Sequence, residues 1–216
     1  MPAPAKPQRE SAVRRRAALL RAAAELAGEL GAGAVTHRAV AARAGVPVST
    51  TSYFFSSIDE LVTEALRLSA SGRLEQLAAT EQVVIDAGAS RARPVVAKAV
   101  DHLLGEDLGR EGEHVELLMA AGRRPVLRAD ASATVAAAVE RSTRQFERVG
   151  SPRAADAAWA ATALGHGAML QRRAGVDADH RDHVEAGLLL IVAASMLRDD
   201  ELDELLARCE GPEPHR

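Results

Sequence analysis

Two groups of side chains carry chemistry by type and spacing. One is a run of hydroxyls, Ser49, Thr50, Thr51, Ser52 and Tyr53, with Thr36 and Arg38 before it and Arg9, Arg14, Arg15 and Arg16 further upstream. Small hydroxyls reach base edges and phosphate oxygens, and guanidinium groups bind phosphates in charge-assisted pairs, so the set suits a polyanion. The other is His180, Asp182, His183 and Glu185, close enough in sequence to suggest a metal. No histidine pair there has the i,i+4 spacing of a zinc-binding helix, and HRDHVE lacks a kinase's glycine-rich loop and strand lysine. Surface charge explains the second group better. With no Gly-x-Ser-x-Gly, phosphate loop or dinucleotide fingerprint in the chain, no enzyme activity, metal or cofactor is expected.

The elements that must position the first group are helices. Of the 216 residues 47% are hydrophobic but only 2% aromatic, and alanine dominates the apolar set, which favours an all-α fold. The single cysteine, Cys209, permits no intrachain disulfide. The start MPAPAKPQRE is not a secretory signal, and no apolar run approaches the roughly 20 residues of a membrane span. A cytoplasmic protein with no membrane partner is expected.

The net charge of −3 argues against a nucleic-acid partner until it is resolved along the chain. Residues 1–57 hold eight Lys or Arg against three Asp or Glu, a net of +5, which leaves −8 on the rest. A basic module on an acidic body is the footprint of polyanion binding confined to one end, although charge alone would serve a solvated face equally well.

Apolar spacing predicts a first helix from Arg9 to Gly31. Thr36 caps a short second helix ending at Gly45, and Gly45-Val46-Pro47 forms a turn. A third helix runs from Val48 to Phe55, capped by a small hydroxyl, and Ser57 caps a fourth. Two short helices around such a turn are a helix-turn-helix, or else an ordinary corner in a bundle. Further helices are expected at about 58–86, 91–108, 111–122, 125–149, 152–172, 178–197 and 199–209. The domains are drawn as a disordered arm over 1–8, a helix-turn-helix domain over 9–57, a larger helical domain over 58–210 and a disordered tail over 211–216.

The stretch THRAVAARAGVPVSTTSYFFSSIDEL, from Thr36 to Leu61, resembles the TetR family of bacterial repressors: a Thr-x-Arg opening, an Ala-Gly-Val turn, a short recognition helix ending in aromatics, and a polar pair before an acidic-Leu step. The preceding helix is similar, and the remainder matches by helix count and length. The resemblance implies an N-terminal DNA-binding domain and a C-terminal helical domain for ligand binding and dimerisation. The function implied is a ligand-responsive repressor, released from a palindromic operator by a small molecule. It places Arg14, Thr36, Arg38, Val48, Ser49, Thr50, Ser52 and Tyr53 at the DNA, and turns Thr51 and Phe55 toward the module's core with Leu19, Leu26, Val40 and Val46. Ser52 replaces the family's commoner tyrosine and Ser56 a frequent lysine, so Arg9, Arg14, Arg15 and Arg16 are expected to compensate through a flexible arm.

Useful discrimination requires two such modules, hence a homodimer. The segment 154–172 is rich in alanine and glycine, and the helix after it offers a wide apolar surface. In the family the last two long helices build a four-helix bundle across the two-fold axis. That assigns Ala158, Ala161, Thr162, Gly165, Ala168, Leu188, Leu189, Val192 and Met196 to the dimer contact, with a buried intrachain hairpin as the alternative. The middle helices would enclose the effector, and His102, Leu103, Met119, Phe146, Trp159 and His166 are its candidate lining, each also explicable as core or surface.

Overall fold

The computed structural model describes residues 6–86, 92–103, 108–176 and 180–209. These residues form ten α-helices and two short 3₁₀ turns, and no strand occurs among them. The helices are α1 (Lys6–Leu30), α2 (His37–Ala44), α3 (Val48–Phe54), α4 (Ile58–Asp86), α5 (Ala92–Leu103), α6 (Leu108–Arg123), α7 (Arg128–Arg148), α8 (Ala154–Arg173), α9 (His180–Ser195) and α10 (Asp199–Cys209). No helix among the described residues is long and apolar enough to cross a membrane. The chain divides into two packing units, Met1–Gln76 with Glu106–Thr134 and Leu77–Gly105 with Val135–Arg216.

In the first unit α1 buries Leu19, Leu20, Ala23, Leu26 and Ala27, spaced to lie on one face of a helix. That face packs on α2 and α6. At Gly28 the backbones of α1 and α6 nearly touch, since a Cβ there would stand 2.8 Å from Glu113 N. The buried Glu116 on α6 accepts the Ala32 N–H at 3.0 Å, holding the 3₁₀ turn Ala32–Ala34 that leads from α1 to α2. The core continues through Leu61, Val62, Ala65 and Leu66 of α4, Leu117 and Ala120 of α6, and Leu127. Packing therefore does not stop at residue 57, where the sequence places the domain boundary. Three helices of which two have eight and seven residues offer too little apolar surface, and α4 and α6 complete the core.

The turn chemistry follows the sequence closely. Thr36 Oγ1 accepts the Ala39 N–H at 3.2 Å and caps α2. Gly45 has φ +66°, a left-handed conformation that only a residue without Cβ adopts freely, and Val46 N–H returns to Ala41 O at 3.0 Å. The N-terminus of α3 departs from expectation: its cap is Pro47, with no side-chain hydrogen bond, so the hydroxyls lie inside the helix rather than at its end. Ser57 does cap α4, its Oγ accepting Glu60 N–H at 3.1 Å, and Glu60 reaches back to Ser56 N–H at 2.7 Å. Pro125 opens a 3₁₀ turn rather than α7 itself, which begins at Arg128. The segment drawn as a disordered arm is helical from Lys6; its first five residues, like the tail 210–216, lie outside the described residues.

In the second unit α9 packs against both α5 and α8. One core cluster joins Val96, Val100, Ala168, Val184 and Leu188, and another joins Phe146, Ala157 and Ala158. Ser151 Oγ donates to Ser195 O at 2.8 Å, tying the α7–α8 turn to the end of α9.

Candidate nucleic-acid interface

The α2–α3 pair presents its polar side outward on an apolar anchor. Thr51 and Phe55 are fully buried, alongside Leu19, Leu26 and Val40, with Val46 packed at the edge. On the outer side Thr36, Arg38, Val48, Ser49 and Ser52 are exposed, Thr50 is half-buried, and Tyr53 is 81% exposed. An exposure this large for a tyrosine leaves its hydroxyl free to meet a partner, while the ring is braced edge-on against Phe54 at 5.0 Å. Thr36 uses an oxygen lone pair for its cap and keeps its hydroxyl proton to donate. The adjacent backbone N–H groups and dipole of α2 favour an anion at the same place.

The arginines divide into committed and uncommitted. Arg43 pairs through both nitrogens with Glu29, at 2.9 and 2.7 Å, and reaches Glu25 at 3.3 Å, tying α2 to α1. These bonds hold the Glu29 carboxyl below its usual range and the Arg43 guanidinium above its own. Arg16 is also committed. It pairs with Glu64 of α4 and lies 5.0 Å over the Phe55 ring, so it braces the end of α3 against α1 and α4. That corrects its assignment to a flexible arm. Arg14 and Arg15 are exposed, but on the body of α1 rather than on an arm, and Arg15 bonds Ser11 at 2.9 Å. The Arg9 side chain lies outside the described residues. Arg14 and Arg38 are exposed, and Arg43 offsets part of the charge of Glu25 and Glu29.

One residue of this site was missed in the sequence. His37, the first residue of α2, places Nδ1 3.0 Å from Thr51 Oγ1, and Thr51 in turn donates to Val48 O at 2.7 Å. The signal was available, because a threonine on the inner face of an amphipathic helix requires a polar partner.

The remaining sequence candidates are dispersed. Met119 belongs to α6 in the first unit and is half-exposed; Phe146 is buried in the second unit's core; Trp159 is 62% exposed; His166 is half-buried. The His102 and Leu103 side chains lie outside the described residues. Of the residues assigned to a dimer contact, Ala158, Gly165, Ala168 and Leu188 are buried within the chain, and Ala161, Leu189 and Val192 pack against the same cores. Thr162 is half-buried, and Met196 is exposed. The apolar positions facing outward are instead Trp159, Ala160, Ala163 and Leu170 on α8 and Ala186, Leu190 and Ala193 on α9. Asp182 and His183 are exposed, and among the described residues no group of His, Cys, Asp or Glu could hold a metal ion.

Comparison with known proteins gives this geometry a context. Residues 19–65 match the model of bacterial regulatory proteins of the tetR family, and residues 87–194 match the tetracyclin repressor-like C-terminal domain. Among solved structures, the TetR family member SCO1917 from Streptomyces coelicolor A3 is 26% identical with a TM-score of 0.61, over 82% of this chain and 97% of that one. The transcriptional regulator SCO7518 from Streptomyces coelicolor A3(2) is 26% identical with a TM-score of 0.59, over 83% and 98%. The multidrug binding protein EbrR in complex with imidazole is 27% identical with a TM-score of 0.60, over 82% and 94%. Among curated protein sequences none matches the chain.

Proposed function

The chain belongs to the TetR family of bacterial regulatory proteins, and on that footing we propose that it is a cytoplasmic repressor, not an enzyme, that binds a palindromic operator as a homodimer and leaves it when a small molecule binds the C-terminal domain. The observation that carries the DNA contact is the α3 face, where Ser49, Ser52 and Tyr53 are exposed on a helix fixed from beneath by Thr51 and Phe55. In this reading Ser49, Thr50 and Ser52 meet base edges and phosphates in the major groove, and the Val48 side chain contacts apolar base surface. Tyr53, Thr36 with the α2 N-terminus, Arg38 and Arg14 hold phosphates and set the register.

Two α3 helices must then stand about one DNA turn, roughly 34 Å, apart. The support for a dimer through α8 and α9 is the apolar stripe that these helices turn outward, with Trp159, Leu170 and Leu190 all exposed. Solvent-facing residues of that size on two adjacent helices suit a four-helix bundle between copies. The contact runs through this outer stripe and not through Ala158, Ala168 and Leu188, which the chain already buries.

Release follows from a population shift: the effector binds the DNA-incompetent arrangement more tightly, and about 5.5 kcal/mol of differential affinity moves the balance from 1:99 to 99:1. EbrR has been crystallised with proflavin and ethidium. Of this chain's five aromatic residues Phe146 and Trp159 belong to the second unit, one in its core and one on its surface.

Selection of duplexes from a random library by the purified protein tests the reading. An enriched inverted repeat, bound about 10³-fold or more above random sequence, is expected. Enrichment of nothing removes it.

A further inference from the structure

We propose that His37 is the positioning residue of the recognition helix, donating its Nδ1–H to the buried hydroxyl of Thr51 and thereby fixing the rotation of α3 relative to the DNA-facing end of α2. The proposal rests on the DNA-binding reading above and assigns a role to a residue that touches no base itself.

Seven residues are too few for α3 to hold its own orientation, so its inner face must do so. That face is Phe55, an apolar anchor, and Thr51, whose relative exposure is 0%. Apolar packing resists separation but fixes rotation weakly, whereas a hydrogen bond is directional. Thr51 has one hydroxyl proton. A carbonyl can only accept, and Val48 O lies 2.7 Å from Thr51 Oγ1, nearer than His37 Nδ1 at 3.0 Å. The proton therefore goes to Val48 O, Thr51 receives the imidazole bond, and His37 carries its hydrogen on Nδ1. Neutral Nδ1–H imidazole and imidazolium both satisfy this arrangement, and only the Nε2–H tautomer does not.

The geometry links two parts of the interface. His37 stands between Thr36, the cap of α2, and Arg38, both exposed. Thr51 sits beneath Ser49, Thr50 and Ser52. The bond spans the Gly45 turn and sets the outer hydroxyls of α3 against the anion-binding end of α2. Rotation of α3 by a few tens of degrees would carry Ser49 and Ser52 off their base edges and leave the phosphate contacts of α2 in place.

The test uses the full-length protein and a duplex that the wild-type chain has selected from a random library. His37→Ala is expected to lose about tenfold in affinity for that duplex, the scale of one buried hydrogen bond, with random-sequence affinity, salt slope and helical circular dichroism unchanged. His37→Asn, whose amide N–H stands at the same remove from the backbone as Nδ1, is expected to recover most of the loss. Thr51→Val is expected to cost a similar factor, and less than additively with His37→Ala. Long-range ¹H–¹⁵N spectra of the imidazole are expected to show Nδ1 protonated. An Nε2–H tautomer overturns the proposal, as does a His37→Ala protein that binds the selected duplex like wild type. Equal losses on selected and random duplexes with a shallower salt slope would make His37 a phosphate contact instead. A wild-type protein that selects no duplex removes the DNA reading, and this assignment with it.

Discussion

Leucines fill the core of the first packing unit, with Leu19, Leu61, Leu66, Leu117 and Leu127 all fully buried, whereas in the second unit the most deeply buried are Val100, Ala158 and Ala168, with Leu188 and Phe146 less so. Large side chains bind few helices firmly and leave the outer face free for polar chemistry. Small ones leave room for a neighbour's side chain, as at Gly187, where an added Cβ would meet Leu164 Cδ2 at 2.9 Å. They bury little area each, and the apolar residues left over point outward. The first unit is thus closed beneath a polar working face, and the second is open along an apolar one.

If that openness marks a contact between copies, Leu190→Glu has the largest effect of any single change. Leu190 is 71% exposed, so the charge costs the folded chain almost nothing. Light scattering is expected to return a monomer, and operator affinity to fall by about 10²–10⁴-fold as two linked half-site contacts become independent. A dimer that survives the substitution places its interface elsewhere. The next contrast lies in the cores. Leu61→Ala in the first unit is expected to cost about 2–5 kcal/mol by leaving a cavity, while Ala168→Gly in the second costs about 1 kcal/mol, mostly of helix propensity. Denaturant titration of the two variants measures both, and equal losses would erase the distinction between the units.

The same contrast explains how much could be read in the sequence. The limits of α2 and α4 were legible to the residue because Thr36, Gly45 and Ser57 act through local hydrogen bonds and backbone conformation. The outward face of α3 was legible through the family resemblance, which turns Thr51 and Phe55 inward and leaves Ser49, Ser52 and Tyr53 outside. The facing of α8 was not. Ala157, Ala158, Ala160, Ala161 and Ala163 differ in burial but hardly in chemistry, so spacing could not tell the inner stripe from the outer. Long-range pairs were equally hidden. Arg16 reads as a cation for DNA until Glu64 is found beside it 48 residues on, and nothing in the sequence ties Glu116 to Ala32.

A smaller effect separates working face from scaffold within the first unit. Arg38 is exposed at the first turn of α2, and Arg43, at its last, is bonded to Glu29 and Glu25. Arg38→Ala is expected to weaken binding to all duplexes alike and to reduce the salt slope by about 0.9, one phosphate's share. Arg43→Ala should leave the slope unchanged. A slope altered by Arg43 and not by Arg38 would reverse the assignment.

The smallest effect concerns the hinge between α3 and α4. Glu60 accepts the Ser56 hydroxyl at 2.5 Å and the Ser56 N–H at 2.7 Å, and these two bonds hold its carboxyl below the usual range against a slight opposing effect of burial. A carboxyl whose folded pKa is depressed contributes stability in full above its unfolded value, near 4.5, and loses it as pH falls through the folded one. Glu60→Gln should therefore lower the melting temperature slightly at pH 7 and leave it unchanged well below pH 4. The bonds lie at the surface, which keeps the difference small. Because α3 ends where this box begins, the variant should also bind the selected duplex slightly less well at neutral pH. Melting curves whose difference from wild type does not close on acidification would show that Glu60 acts through something other than its charge.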